Sequence, residues 1–79
     1  MLTVYVKPVC VQCDATKRKL DAEGISYRVA DIMPKVDEFK ASGHLSAPVV
    51  VTDWSVWSGY RPDLILQHKA RQAHPARKL

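Results

Sequence analysis

The sequence predicts an α/β fold of four strands and three helices, and three observations point to it. Short β-rich apolar runs alternate with longer segments whose apolar residues recur every three or four positions. The first third reads strand, helix, strand, an order satisfied by a parallel pair joined through a right-handed crossover. The remainder reads helix, hairpin, helix. With 79 residues, the chain is expected to form a single domain over 1–79. At that size it hides about 60% of its unfolded surface in one modest core.

Each element has a local cause. Leu2 to Val6 is β-rich, and Lys7-Pro8 stops it. A helix is predicted from Val11 to Glu23, closed by Gly24, because glycine accepts the left-handed conformation that ends helices. Cys13, Thr16 and Leu20 fall on one stripe of that helix, while Lys17, Arg18 and Asp21 fall largely elsewhere, so Cys13 faces inward. Ile25 to Ile32 reads as the second strand. A short helix follows from Pro34 to Ser42, with proline in its first turn, Gly43 at its end, and Val36 and Phe39 directed to the core. Ala47 to Val51 reads as a buried strand introduced by proline. Trp54 to Trp57 returns beside it through a tight turn around Asp53. The last helix opens at Arg61-Pro62-Asp63, where proline suits the first helical position and Asp63 faces the positive end of the helix dipole. It packs through Leu64 and Ile65.

Composition limits the function. A hydrophobic content of 47% with 25% charged residues excludes disorder, and no apolar run approaches the length of a membrane span. A soluble protein with no membrane partner is expected. No basic stretch leads into an apolar segment and small-residue cleavage site, so the expected compartment is the cytoplasm. The net charge of +4 is uneven, since Lys69, Arg71, Arg77 and Lys78 crowd the end of the chain. Residues 70–79 are read as a fraying basic tail. It lacks interleaved aromatics, so no nucleic-acid partner is expected, and steering toward an acidic protein is the better use of its charge.

The chemistry is expected at Cys10-Val11-Gln12-Cys13, which holds the only cysteines in the chain. Two thiols at i and i+3 share one face of a helical turn, so a disulfide can open and close there with little movement elsewhere. In a reducing compartment a permanent structural bridge is disfavoured, which leaves a working pair or a metal-binding pair. His44, His68 and His74 are too widely spread for a zinc pattern and are read as solvated or capping residues.

The element order, with C-x-x-C at the first strand-to-helix junction, is that of a thioredoxin-like fold. Lys7-Pro8-Val9-Cys10-Val11-Gln12-Cys13 resembles the active-site segment of glutaredoxins, and Ser46-Ala47-Pro48-Val49-Val50 resembles their loop with a cis proline. Trp57-Ser58-Gly59-Tyr60-Arg61-Pro62-Asp63 is similar to the signature of NrdH-type redoxins, with Tyr60 where phenylalanine is common. The resemblance spans about residues 2–68. It implies a mixed sheet in the order 2-1-3-4, with the third strand antiparallel to the first and helices on both faces. It implies a monomeric cytoplasmic electron carrier without a bound cofactor, working through a redox-active Cys10-Cys13 disulfide. NADPH would supply electrons through thioredoxin reductase, and the large subunit of a class Ib ribonucleotide reductase would receive them.

Cys10, at the helix N-terminus, is the expected nucleophile, because unpaired N–H groups and the helix dipole favour its thiolate over an ordinary thiol of pKa about 8.5. Cys13 is the expected resolving residue. Lys7 either adds positive potential or is a solvated surface lysine. Val11 and Gln12 cannot ionise, so they tune the helix rather than move protons. If the Ala47-Pro48 bond is cis, as the resemblance implies, the backbone of Ala47 can pair with an extended substrate. Trp54 is assigned to turn or core packing. Trp57, Ser58, Gly59, Tyr60 and Arg61 are assigned to a partner-facing turn, with Arg61 either touching the partner or bonding the loop near Ser46. Glutaredoxins commonly carry a glycine pair and acidic residues in that turn to hold glutathione, and this chain carries bulk and a cation instead, so glutathione is expected to bind poorly. Two alternatives remain: a glutathione-linked or general protein-disulfide reductase, and a noncatalytic metal or iron–sulfur module.

Overall fold

In a computed structural model of the protein, residues 2–73 are described. The elements are β1 (Leu2–Val6), α1 (Val11–Ala22), β2 (Tyr27–Asp31), α2 (Val36–Ala41), β3 (Val49–Val51), β4 (Val56–Ser58) and α3 (Pro62–Ala73), with a 3-10 turn at Met33–Lys35 leading into α2. The sheet order is β2-β1-β3-β4. β1 pairs parallel with β2, placing Val4 beside Val29, and antiparallel with β3, placing Val4 beside Val50. β3 and β4 form the expected hairpin, with Val50 beside Trp57.

That register decides the layers, because side chains alternate across a sheet. Leu2, Val4, Val50 and Trp57 share one face and form the core with Leu20 of α1, Ile65 of α3 and Ile25. The two long helices therefore cover this face. Each fully buried Leu or Ile here contributes about 1.5–3 kcal/mol. Tyr5 points to the opposite face and meets Phe39 of α2 edge-on, with ring centroids 5.0 Å apart. The sheet is thus sandwiched, as the resemblance implied.

Both short connections after the helices are built by glycine. At the end of α1, the Gly24 N–H donates to the Asp21 carbonyl and the Ile25 N–H to the Leu20 carbonyl, with Gly24 at φ +69. This paired pattern needs a left-handed residue, and it brings Ile25 against Leu20. The same pattern ends α2, where Gly43 (φ +89) and His44 bond back to Lys40 and Phe39. Ile25 is consequently core without being strand: its N–H is spent on the helix, and β2 starts at Tyr27.

Two further boundaries differ from the sequence expectation. The Thr52 hydroxyl accepts from the N–H groups of Trp54 (3.2 Å) and Ser55 (2.9 Å) and donates to the Ser55 carbonyl, winding residues 52–55 into a turn. Trp54 therefore lies in the turn, and β4 starts only at Val56. Residues 70–73, expected to begin a frayed tail, are helical through Ala73, while 74–79 lie outside the described residues. Glu23, at the end of α1, holds Lys69 of α3 at 2.9 Å and Lys19 at 3.0 Å. These contacts, with Lys69 foremost, lower the Glu23 carboxyl below its usual range. They lie at the surface, only partly shielded from water, and stabilise little.

His68 contradicts its assignment as a solvated or capping residue. It is only 3% exposed, and neither ring nitrogen has a hydrogen-bond partner among the described residues. Its ring stacks on Trp54 at 5.2 Å, and the Arg71 guanidinium lies 5.4 Å from the Trp54 ring centre. Burial pushes the His68 imidazole below its ordinary value of 6.5, with Asp53 opposing the shift. Below about pH 6.5 the unfolded chain binds a proton that the folded chain refuses, so stability falls as pH falls. Urea unfolding between pH 7.5 and 5 should register this loss, at no more than about 1.4 kcal/mol per pH unit. His68→Phe, which keeps the stack, should flatten the dependence.

Candidate redox site

The site begins with the turn between β1 and α1. Val9 adopts φ 53, a left-handed conformation that a β-branched residue enters at a cost of about 1–3 kcal/mol, and it is fully exposed. The chain then extends through Cys10 (φ −131, ψ 105), which is the N-cap of α1. Here the cap is a sulfur. The Cys13 N–H donates to Cys10 Sγ at 3.1 Å, and the Asp14 N–H donates to the Cys10 carbonyl, also at 3.1 Å. Cys10 is partly exposed and Cys13 is 2% exposed, on the stripe with Thr16 and Leu20 that the helical period predicted. The two sulfurs are joined in a disulfide with a Cα–Cα distance of 5.2 Å, inside the range such bonds require.

Two other segments close around this turn. The Ala47-Pro48 bond is cis, and Pro48 is fully buried immediately before β3. Ala47 and Ser46 line a groove with Cys10, Val11, Gln12 and Lys7. The Gly59 N–H donates to the Pro48 carbonyl at 2.8 Å, which fastens the 57–61 turn to the proline loop. Gln12 supplies the third tie, accepting from the Tyr60 N–H through its side-chain oxygen at 3.0 Å. A Cβ on Gly59, which sits at φ +80, would stand 3.0 Å from that same oxygen, so glycine gives both the conformation and the clearance.

The structure brings together Lys7, Cys10, Val11, Gln12, Cys13, Ala47 and Pro48, and places Gly59 and Tyr60 beside them. Trp57 is corrected. It is 5% exposed and belongs to the core on the α1/α3 face, because its register beside Val50 turns it inward, so it cannot be a partner-facing residue. Ser58 pairs with Val49 in the sheet and is half-buried. Tyr60 is 38% exposed. Arg61 does not bond the loop near Ser46. Its Nε and Nη2 donate to the two Asp63 carboxylate oxygens at 3.2 and 3.0 Å, and its carbonyl accepts from the Leu64 and Ile65 N–H groups of α3. That contact holds the Asp63 carboxyl below its usual range. Sequence reasoning missed the Gln12–Tyr60 bond, for which a lone polar residue gives no signal across 48 positions, and the strained Val9, where glycine would have been the usual flag. Among the described residues, no cluster of three or more His, Cys, Asp or Glu can hold a metal ion.

A cysteine capping a helix at the rim of a thioredoxin fold, bonded to a buried cysteine one turn on, defines a thiol–disulfide redox protein. A glutaredoxin family model matches residues 2–56, and the chain belongs to that family. Among its relatives, the glutaredoxin-like protein NrdH of Salmonella typhimurium is 39% identical over 67 residues, covering 81% of this chain and 83% of that protein. The NrdH protein of Escherichia coli K12 is 36% identical over 78 residues, covering 95% and 90% of the two chains. The solved structure of E. coli NrdH-redoxin, a glutaredoxin-like protein with a thioredoxin-like activity profile, superposes with a TM-score of 0.77 at 33% identity, covering 95% of this chain and 96% of that one. The chain is therefore a glutaredoxin-like redoxin of the NrdH kind, with a disulfide-forming Cys10-Cys13 pair.

The Gln12 tie yields a direct expectation. Gln12→Ala frees the Tyr60 N–H, and a net hydrogen-bond contribution of about 1 kcal/mol corresponds to roughly fivefold faster amide exchange at Tyr60. Hydrogen exchange followed by NMR measures it, with amides in the centre of β1 unchanged.

Proposed function

We propose that this protein is a cytoplasmic, monomeric dithiol electron carrier that takes electrons from NADPH through thioredoxin reductase and delivers them to the large subunit of a class Ib ribonucleotide reductase. The observation that carries the chemistry is the Cys10 sulfur at the N-cap of α1, partly exposed, with Cys13 buried behind it. The partner assignment draws on the NrdH relatives and on the thioredoxin-like activity profile of the E. coli protein.

In the reduced protein the Cys10 thiolate attacks one sulfur of a substrate disulfide. That bond breaks, its second sulfur leaves as a thiolate that takes up a proton, and Cys10 is left in a mixed disulfide. The Cys13 thiol loses its proton and attacks Cys10 Sγ, expelling the remaining substrate sulfur and forming the Cys10-Cys13 disulfide. The substrate has then gained two electrons and two protons. The reductase returns the same number to the carrier.

The geometry suits each step. The Cys13 N–H that donates to Cys10 Sγ stabilises negative charge where the nucleophile needs it, together with the positive end of the α1 dipole. The exposed Val11 beside it offers a partner an apolar rim with no charge to desolvate. Ala47 lines the groove next to Cys10, where an extended segment can align its disulfide.

The family match keeps a glutathione-linked reductase as the second reading. Lys7-Pro8 precedes the cysteines in both readings, but the 57–61 turn offers Tyr60 and the Asp63-neutralised Arg61 in place of free acidic groups. Insulin reduction separates the two. NADPH with thioredoxin reductase should drive turnover, whereas glutathione with glutathione reductase should give little; the opposite order would overturn this reading. Cys10→Ala should abolish turnover, and Cys13→Ser should stall at a mixed disulfide detectable by mass.

A further inference from the structure

Two lysines stand apart from the rest. Among the described residues Lys17 pairs with Asp14, Lys19 and Lys69 pair with Glu23, and Lys35 pairs with Glu38, whereas Lys7 and Lys40 have no ion-pair partner. Both unpaired lysines line the same groove. It runs from Lys7 past Ala47 and Leu45 to Lys40 and His44, between α2 and the cis-proline loop. At the Lys7, Leu45 and Ala47 end it is continuous with the groove that contains Cys10. No carboxylate lines either stretch.

Apolar surface accompanies the charge. Leu45 is 76% exposed and Met33 is 61% exposed, both along the groove. A lysine held near other cations without a counter-charge is a site for an anion brought by a partner. A path of apolar side chains between those cations favours a polypeptide over a small ion.

We propose that this groove seats an extended peptide segment of the protein substrate, carrying acidic side chains beside the cysteine that reacts with Cys10. The inference rests on the electron-carrier reading and names the substrate segment it selects. Lys7 lines the groove together with Cys10, and Lys40 and His44 line its further stretch. The leucine and methionine accept the apolar side chains between them. Selection is electrostatic and acts mainly on the encounter rate, so it weakens as salt shortens the screening length, about 10 Å at 0.1 M.

The test needs no reductase. Protein reduced with dithiothreitol and freed of it is mixed with excess of either of two peptide disulfides. They are identical except that acidic residues flank the cysteine in one and lysines in the other. The second-order oxidation rate at low salt should favour the acidic peptide by about tenfold, shrinking toward parity at 0.5 M NaCl. Lys40→Glu should remove or reverse the preference, Lys40→Ala should reduce it, and Lys35→Glu, outside the groove, should keep it. Equal rates for the two peptides, or a preference indifferent to Lys40, would overturn the inference. Because the electrons come from dithiothreitol, failure here is distinct from failure of thioredoxin reductase to reduce the protein.

Discussion

One hydrogen bond organises this molecule's chemistry: the backbone N–H of Cys13 donating to the sulfur of Cys10. Helix N-termini leave donors without intrahelical partners, and side-chain oxygens usually satisfy them. Here a disulfide sulfur takes that position. The donor that would otherwise need a cap is satisfied by the sulfur that the proposed mechanism makes the nucleophile. Capping thus fixes Cys10 outside the helix, Cys13 inside it and the sulfurs on one face.

The remainder of the fold serves to hold that turn still and leave one side of it open. The core beneath α1 anchors Cys13 through the Thr16 and Leu20 stripe, and the Thr16 hydroxyl donates to the Gln12 carbonyl at 2.8 Å. From the side, Gln12 grips the 57–61 turn, which in turn grips the proline loop through Gly59 and Pro48. Three chain segments far apart in sequence meet within a few hydrogen bonds. On the other side, Lys7 and Ala47 line an open groove with Cys10. Strain at Val9 fits this division, since a costly conformation persists only where surrounding structure determines it.

Local signals in the sequence carried much of this. The C-x-x-C pair after a strand, the glycines after both helices, the 3.6-residue stripe of Cys13, Thr16 and Leu20, and proline at the start of α3 each have a physical cause within a few residues, and each was readable. The resemblance supplied the sheet order and the cis proline, which no local pattern encodes. What escaped depends on tertiary register. Trp57 looked like a surface anchor because its neighbours resemble a binding turn, yet pairing with Val50 decides which way it faces. His68 looked solvated because histidine usually is, yet its place on α3 sets it under Trp54. Thr52 gave no hint that its hydroxyl would wind the turn and shorten β4. The site was legible where chemistry and spacing coincide, and obscure where a single polar side chain reaches across the fold.

The proposed mechanism needs an asymmetry between the two sulfurs, with Cys10 partly exposed and reactive as a thiolate and Cys13 buried. Fully reduced protein treated with limiting iodoacetamide near neutral pH, with the modified cysteine located by mass spectrometry, measures that asymmetry directly. The structure predicts that label accumulates on Cys10 well before Cys13, faster than on an unstructured peptide containing the same four residues. Equal labelling of the two cysteines, or a rate on Cys10 no greater than in the peptide, would contradict it.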